Sequence, residues 1–187
     1  MSKLAAVLLA GGASVRMGRP KAFLLQEGLP LWRFQMNTLL GLEPSELFLS
    51  AAPGLEFGPG PWTLLYDRQP GLGPVAGLDA ALRASSAERI VVLAVDMPAI
   101  TTEFLRRLLA EAGEGGIVPR LEGFYYGMVA VYPRDIQPLV EEVLAGEDRS
   151  FQHLIRLGIA ADLLKVYSVT ESEKGFFQHL NSPSDLT

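Results

Sequence analysis

Cysteine is absent from all 187 residues, which removes disulfides, thiolate zinc sites and cysteine nucleophiles together. Histidine is nearly absent: His153 and His179 stand far apart and outside any metal-binding helix pattern, which argues against a histidine-based zinc site. Any metal is therefore expected to be held by oxygen. No run approaches the roughly 20 apolar residues of a bilayer span, and there is no basic stripe or aromatic-basic repeat, so neither a membrane nor a nucleic acid is an expected partner. Ser2-Lys3 followed by Leu4 to Ala10 imitates a signal peptide only faintly, because its apolar part is short and cations follow it. Together with the missing cysteine, this sets a cytoplasmic location as the expectation.

Acidic residues are missing where it matters most. The chain carries a net charge of -5, yet no Asp or Glu precedes Glu27, while Arg16, Arg19 and Lys21 do. Local charge decides what a segment attracts. In Leu4-Ala5-Ala6-Val7-Leu8-Leu9-Ala10-Gly11-Gly12, an apolar run that reads as a buried strand meets a glycine pair, and glycines let backbone N–H groups close on a bulky anion. Apolar run, Gly11-Gly12 and cations in this order build a phosphate cradle. It is not a Walker loop, since Arg19-Pro20 separates Gly18 from Lys21, and adjacent glycines do not make a dinucleotide fingerprint.

At 49% hydrophobic and 20% charged residues the composition is that of an ordinary globular protein, and the length suits one domain over residues 1–187. Strand-like runs at Leu47–Ala51, Trp62–Leu65 and Arg89–Val95 alternate with helical spacing at Leu31–Leu40, Val75–Arg83 and Glu103–Glu111, which predicts an α/β fold. Further on, the pattern predicts a strand starting in Gly115-Gly116-Ile117-Val118 and strands over Tyr125–Tyr132, Leu163–Val169 and Phe176–Leu180. Helices are expected from near Pro133 to Leu144 and over Ser150–Leu157, with a helix start at Ser182-Pro183. The loop from Leu55 to Pro61 reads as a link between two strands.

Two further segments carry chemistry. In Arg68-Gln69-Pro70-Gly71-Leu72-Gly73-Pro74-Val75-Ala76-Gly77, Pro74 suits a first helical turn, and Gly73 and Gly77 bring backbone close to whatever lies there. This is either a plain βα loop or the wall of a pocket for the base or sugar of a nucleotide. Asp96 ends the run Arg89–Val95, at the strand end where α/β sheets bind ligands. It is either a helix cap or a metal ligand, and Thr101 or Thr102 already offers a cap.

These motifs, with Arg16-Met17-Gly18, Asp96-Met97-Pro98 and Asn181-Ser182-Pro183-Ser184-Asp185-Leu186, resemble the nucleotidyltransferase family over nearly the whole chain, and within it the molybdenum cofactor guanylyltransferases. The resemblance implies a three-layer Rossmann-like fold with a mostly parallel mixed sheet between helices. It also implies transfer of GMP from GTP to the terminal phosphate of molybdopterin with release of pyrophosphate. Leu9, Ala10, Gly11 and Gly12 would line the nucleotide together with Gly73, Pro74 and Gly77. Lys21 and Arg16 would hold its phosphates, Asp67 would sit near the guanosine, Asp96 would bind Mg²⁺, and Asn181 would add a second metal contact. Transient contact with the enzymes that insert or receive the cofactor is a further implication. Three segments depart from the family pattern. Ser50-Ala51-Ala52 stands where an Asn is usual, His179 replaces the first Asn of a closing Asn-x-Asn, and Gly123-Phe124-Tyr125-Tyr126-Gly127-Met128, the acceptor segment, lacks a usual Pro. A sugar- or polyol-phosphate nucleotidyltransferase, a molybdopterin cytidylyltransferase and a nucleotide-binding regulator remain the alternatives.

Overall fold

A computed structural model of the chain describes residues 3–11, 20–66 and 72–178. In chain order these residues form β1 (Leu4–Leu9), β2 (Leu25–Gln26), β3 (Leu29–Pro30), α1 (Leu31–Leu40), β4 (Glu46–Ala51), β5 (Thr63–Tyr66), α2 (Pro74–Ala84) and β6 (Arg89–Ala94). There follow α3 (Thr102–Ala112), β7 (Gly116–Leu121), β8 (Phe124–Tyr125), β9 (Val129–Pro133), α4 (Gln137–Ala145), α5 (Phe151–Ala160) and β10 (Leu164–Ser168).

Eight strands share one sheet in the order β10-β7-β9-β6-β1-β4-β5, with β8 added to β7, while β2 and β3 make a separate two-stranded ribbon. Strand β1 is central and parallel to both neighbours, so Leu9 lies opposite Ser50 on one side and Ala94 on the other. β9 is antiparallel to β6 and β7, which returns β7 to the direction of β6. The C-terminal ends of β1, β4, β6 and β7 therefore open on one edge.

Strand β1 is apolar throughout because both faces of the sheet are covered, the condition that makes parallel strands read as continuous hydrophobic runs. Ala6 and Leu8 pack with Leu31, Met36 and Leu39 of α1 and with Phe104, Leu105 and Leu108 of α3. Ala5, Val7 and Leu9 pack on the other side with Val75, Leu78 and Leu82 of α2, Val140 of α4 and Leu154 of α5. Three layers result, as the resemblance implies.

The expected elements differ from the structure in three places. The strand expected over Tyr125–Tyr132 is broken: the register shifts between Arg120↔Tyr125 and Ile117↔Val131, leaving Tyr126 to Met128 as a bulge. Tyr126 N–H turns to Pro119 O at 2.9 Å and Met128 O accepts from Ala94 N–H at 2.8 Å, so the bulge stays bonded. The helix expected near Pro133 begins later, since Pro133 still pairs with Arg89, a 3₁₀ turn follows, and Pro138 fills the first turn of α4. The strand expected from Phe176 is the end of a 3₁₀ helix, Glu171–Phe177, opened by a reciprocal Thr170–Glu173 cap. Phe176 and Phe177 fold onto the Phe104 ring, and this aromatic packing overrides their strand propensity. The helix start expected at Ser182 lies outside the described residues.

Candidate functional site

At the end of β1 the chain keeps its pairing for one more residue: Ala10 N–H donates to Ser50 O at 2.8 Å, and Leu9 O accepts from Val95 N–H at 3.1 Å. Gly11 then runs against the exit of β4, where a Cβ on it would stand 3.3 Å from Ala52 N. Neighbouring backbone therefore crowds this position.

The next described residues form a 3₁₀ turn, Lys21–Phe23, packed against α1 and tied to it by Leu31 N–H donating to Leu24 O at 2.8 Å. From this turn Lys21 reaches across the sheet edge, with Nζ 3.4 Å from Asp96 Oδ2. Both side chains are about one-fifth exposed, at 20% and 23%. Asp96 does not cap α3; Thr101 does, accepting from Phe104 N–H at 3.2 Å. The carboxylate thus stands at the strand end, beside an ammonium and about one-fifth exposed.

The third wall is the start of α2. Gly73 holds φ +77°, a left-handed conformation that glycine adopts without strain, and Pro74 sets the first turn. Gly77 lies so close to the sheet that a Cβ there would come within 2.7 Å of both Leu9 Cδ2 and Ser50 Oγ. The missing side chain seats the N-terminal turn of α2, with its positive dipole end, directly over β1 and β4. Leu9, Ala10, Gly11, Lys21, Gly73, Pro74, Gly77 and Asp96 are brought to this one edge. Gly12, Arg16, Asp67 and Asn181 lie outside the described residues.

Toward β7 the same edge carries an aromatic shelf. Phe124 is 53% exposed, Tyr126 meets Phe124 and Phe177 edge-on, and the Arg120 guanidinium lies 5.4 Å from the Tyr125 ring centre. Burial, with the charge of Glu122, raises Tyr126 above the ordinary tyrosine value, so it stays a neutral donor near pH 7.

Divalent-cation chemistry fits this donor set. Asp96 offers hard oxygen, and Mg²⁺ commonly takes one or two carboxylates while waters and substrate phosphates complete its shell. Among the described residues no group of three acidic or histidine side chains forms a closed cage. One residue at the site went unread in the sequence. Gln35 of α1 is fully buried, and its Nε2 donates to Met97 O at 2.6 Å and to Ala94 O at 3.3 Å, on either side of Asp96. The signal was legible, since a polar residue sits within the apolar face Leu31, Trp32, Met36, Leu39.

Known proteins resemble this chain over nearly its whole length. The family model described as MobA-like NTP transferase domain matches residues 6–163. A protein of Opitutus terrae, named a probable molybdenum cofactor guanylyltransferase, is 34% identical over 192 residues, covering 98% of this chain and 93% of its own. One of Deinococcus radiodurans with the same name is 34% identical over 189 residues, covering 100% and 93%. The crystal structure of molybdopterin-guanine dinucleotide biosynthesis protein A from Archaeoglobus fulgidus superposes with a TM-score of 0.75 at 21% identity, over 97% of this chain and 94% of that one.

Proposed function

The chain belongs to the MobA-like NTP transferase family, and we propose that it transfers GMP from GTP to the terminal phosphate of molybdopterin, releasing pyrophosphate. The observation that carries this reading is the meeting of Lys21 and Asp96, 3.4 Å apart, at an edge walled by Gly11 and the start of α2. The continuous sheet from β1 to β10 supports treating residues 1–187 as one nucleotidyltransferase domain.

In this reading an oxygen of the acceptor phosphate forms a bond to the α-phosphorus of GTP, and the bond from that phosphorus to the β-bridging oxygen breaks, leaving pyrophosphate. The acceptor is already an anion, so no general base is needed. What the protein supplies is alignment and neutralised oxygen charge. Leu9, Ala10, Gly11 and Gly12 line the nucleotide with Gly73, Pro74 and Gly77. Lys21 accompanies the α-phosphate, Arg16 grips the leaving pyrophosphate, and Asp67 stands near the guanosine. Asp96, with Asn181 as a second contact, holds Mg²⁺, which when bound neutralises phosphate oxygens. The exposed Phe124 and the half-buried Tyr126 offer flat apolar faces to a planar pterin, with Arg120 over the ring of neighbouring Tyr125 for its phosphate.

No helix among the described residues is long and apolar enough to cross a membrane. A cytoplasmic site of action, with transient contact to the enzymes that insert or receive the cofactor, completes the proposal. The test is incubation with GTP, Mg²⁺ and molybdopterin. Pyrophosphate release that depends on molybdopterin, with a product mass equal to acceptor plus GMP, supports the reading. Release that ignores molybdopterin but follows a sugar or polyol phosphate overturns it.

A further inference from the structure

Helix α1 presents Leu31, Trp32, Gln35, Met36 and Leu39 to the core, and Gln35 is the polar member, at 0% exposure. Burying an amide is costly unless its hydrogen bonds are made. Here the donor half is satisfied twice, by Met97 O at 2.6 Å and Ala94 O at 3.3 Å. The acceptor half is not: among the described residues Oε1 of Gln35 has no hydrogen-bond partner. A flipped amide would set Oε1 against two carbonyl oxygens, so the two carbonyls fix the orientation. An apolar side chain of equal length would fill the space without the orphaned oxygen, so packing alone does not account for glutamine at this position.

What the amide does is bracket Asp96. The strand before it is tied to its neighbours by Ala94 N–H donating to Met128 O at 2.8 Å and Val95 N–H donating to Leu9 O at 3.1 Å. Met97 lies past the end of β6, in the turn, and its carbonyl accepts from Ile100 N–H at 3.2 Å as well as from Gln35. Gln35 is the side chain that spans both sides of the aspartate. It also ties that turn to α1, the helix against which the Lys21 turn packs.

We infer that Gln35 is a positioning residue: by clamping the carbonyls of Ala94 and Met97 it aims the Asp96 carboxylate, and so sets how tightly the site takes a divalent cation beside the nucleotide. The inference rests on the reading of Asp96 as a metal-binding residue. Groups that orient a ligand from behind typically contribute about 10- to 100-fold to metal affinity.

The test titrates Mn²⁺ into the full chain with saturating GTP and no acceptor, and reads bound ion by electron paramagnetic resonance. Gln35→Met keeps the length and removes both donors; an affinity loss of about tenfold or more is expected, with GTP binding in the absence of metal unchanged. Leu39→Ala, buried on the same helix, controls for lost stability and is expected to lower Tm while leaving Mn²⁺ affinity alone. In an Asp96→Asn background, Gln35→Met is expected to slow pyrophosphate release no further, because both changes act through one group. Wild-type Mn²⁺ affinity in Gln35→Met, or an equal activity loss in both backgrounds, overturns the positioning role. Should Gln35→Met not fold, Gln35→Asn, too short to reach both carbonyls, is read in the same titration with the same two outcomes. Wild-type Mn²⁺ affinity in Asp96→Asn would instead remove the assignment of Asp96 itself, so the two failures are distinct.

Discussion

Lys21 Nζ stands 3.4 Å from Asp96 Oδ2, joining side chains 75 positions apart in the sequence. A partly exposed pair of this kind contributes about 0–1 kcal/mol to stability. Stability therefore does not explain why a strand end and a 3₁₀ turn are both shaped to bring these groups together. Asp96→Asn is predicted to leave Tm nearly unchanged and to lower turnover by at least ~10²-fold, comparable to losing one strong transition-state contact. Steady-state pyrophosphate release with Mg²⁺ checks it; wild-type-like activity would remove Asp96 from the chemistry.

Lys21 is a flexible point charge, suited to following a phosphate as charge builds on it. Lys21→Met is predicted to lower kcat by a larger factor than it raises the KM for GTP. If KM alone changes, Lys21 is a uniform binding contact. Arg16→Ala is expected to harm both parameters, because a grip on the pyrophosphate acts from binding onward.

Gly77 tests the third wall. Alanine is favoured over glycine within a helix by about 1 kcal/mol, whereas forcing a methyl group into a packed contact costs about 1–3 kcal/mol. With Leu9 Cδ2 and Ser50 Oγ both 2.7 Å from the new Cβ, and both residues buried, the second effect wins and either these two side chains or the start of α2 must shift. Gly77→Ala is predicted to lower Tm slightly and kcat/KM for GTP by ~10- to ~10²-fold, as expected when a binding wall is displaced. Wild-type kinetics would show that the start of α2 does not touch the nucleotide.

The parts of the site that local pattern encodes were legible in advance. β1 and its glycine, Pro74 at the head of α2, and Asp96 at the end of β6 are each a strand or helix terminus with a residue that only that terminus explains. Helix α1 was legible to its boundaries, because its apolar spacing is set by one buried face. What was not legible depends on tertiary context. The break at Tyr126 to Met128 is held by Tyr126 N–H donating to Pro119 O and Val129 N–H donating to Tyr126 O, contacts that no local pattern announces. Phe176 and Phe177 read as strand until Phe104 is there to receive them. The β2–β3 ribbon is two residues per strand, too short for alternation to be seen.

Glu173 gives a pH-dependent prediction at the turn leading toward Asn181. Burial raises its pKa, but hydrogen bonds from Thr170 and Tyr167, with the charge of Arg107 at 3.1 Å, outweigh this and hold the carboxyl below the ordinary glutamate value. A depressed folded-state pKa contributes stability that is complete above the unfolded value, about 4.3, and is lost as pH falls through the lower folded value. Its partner, the Tyr167 hydroxyl, is pushed up to about 12 by burial and by Glu173, so it remains a donor across this range. Glu173→Gln is predicted to lower Tm at neutral pH and to flatten the fall of Tm on acidification. A thermal-melt series across acid and neutral pH checks it; an unchanged acid limb would mean the cap does not couple to folding.

Guanylyl transfer is tested most directly at the base. In the proposed reading Gly11 and the Gly73–Gly77 segment wall the base, while Ser50-Ala51-Ala52 stands where the resemblance leads one to expect an asparagine and would offer the base fewer polar contacts. A pocket that hydrogen-bonds a base can reject analogues by up to ~10⁴-fold, and fewer contacts reduce that figure. The decisive measurement is a competition of GTP, CTP and ATP for molybdopterin with Mg²⁺, read as kcat/KM and by product mass. GTP is predicted to be favoured over both by roughly 10²-fold or more, with the guanine dinucleotide as product. Equal use of CTP would contradict guanylyl transfer in favour of cytidylyl transfer, and equal use of all three would contradict the assignment of the base walls.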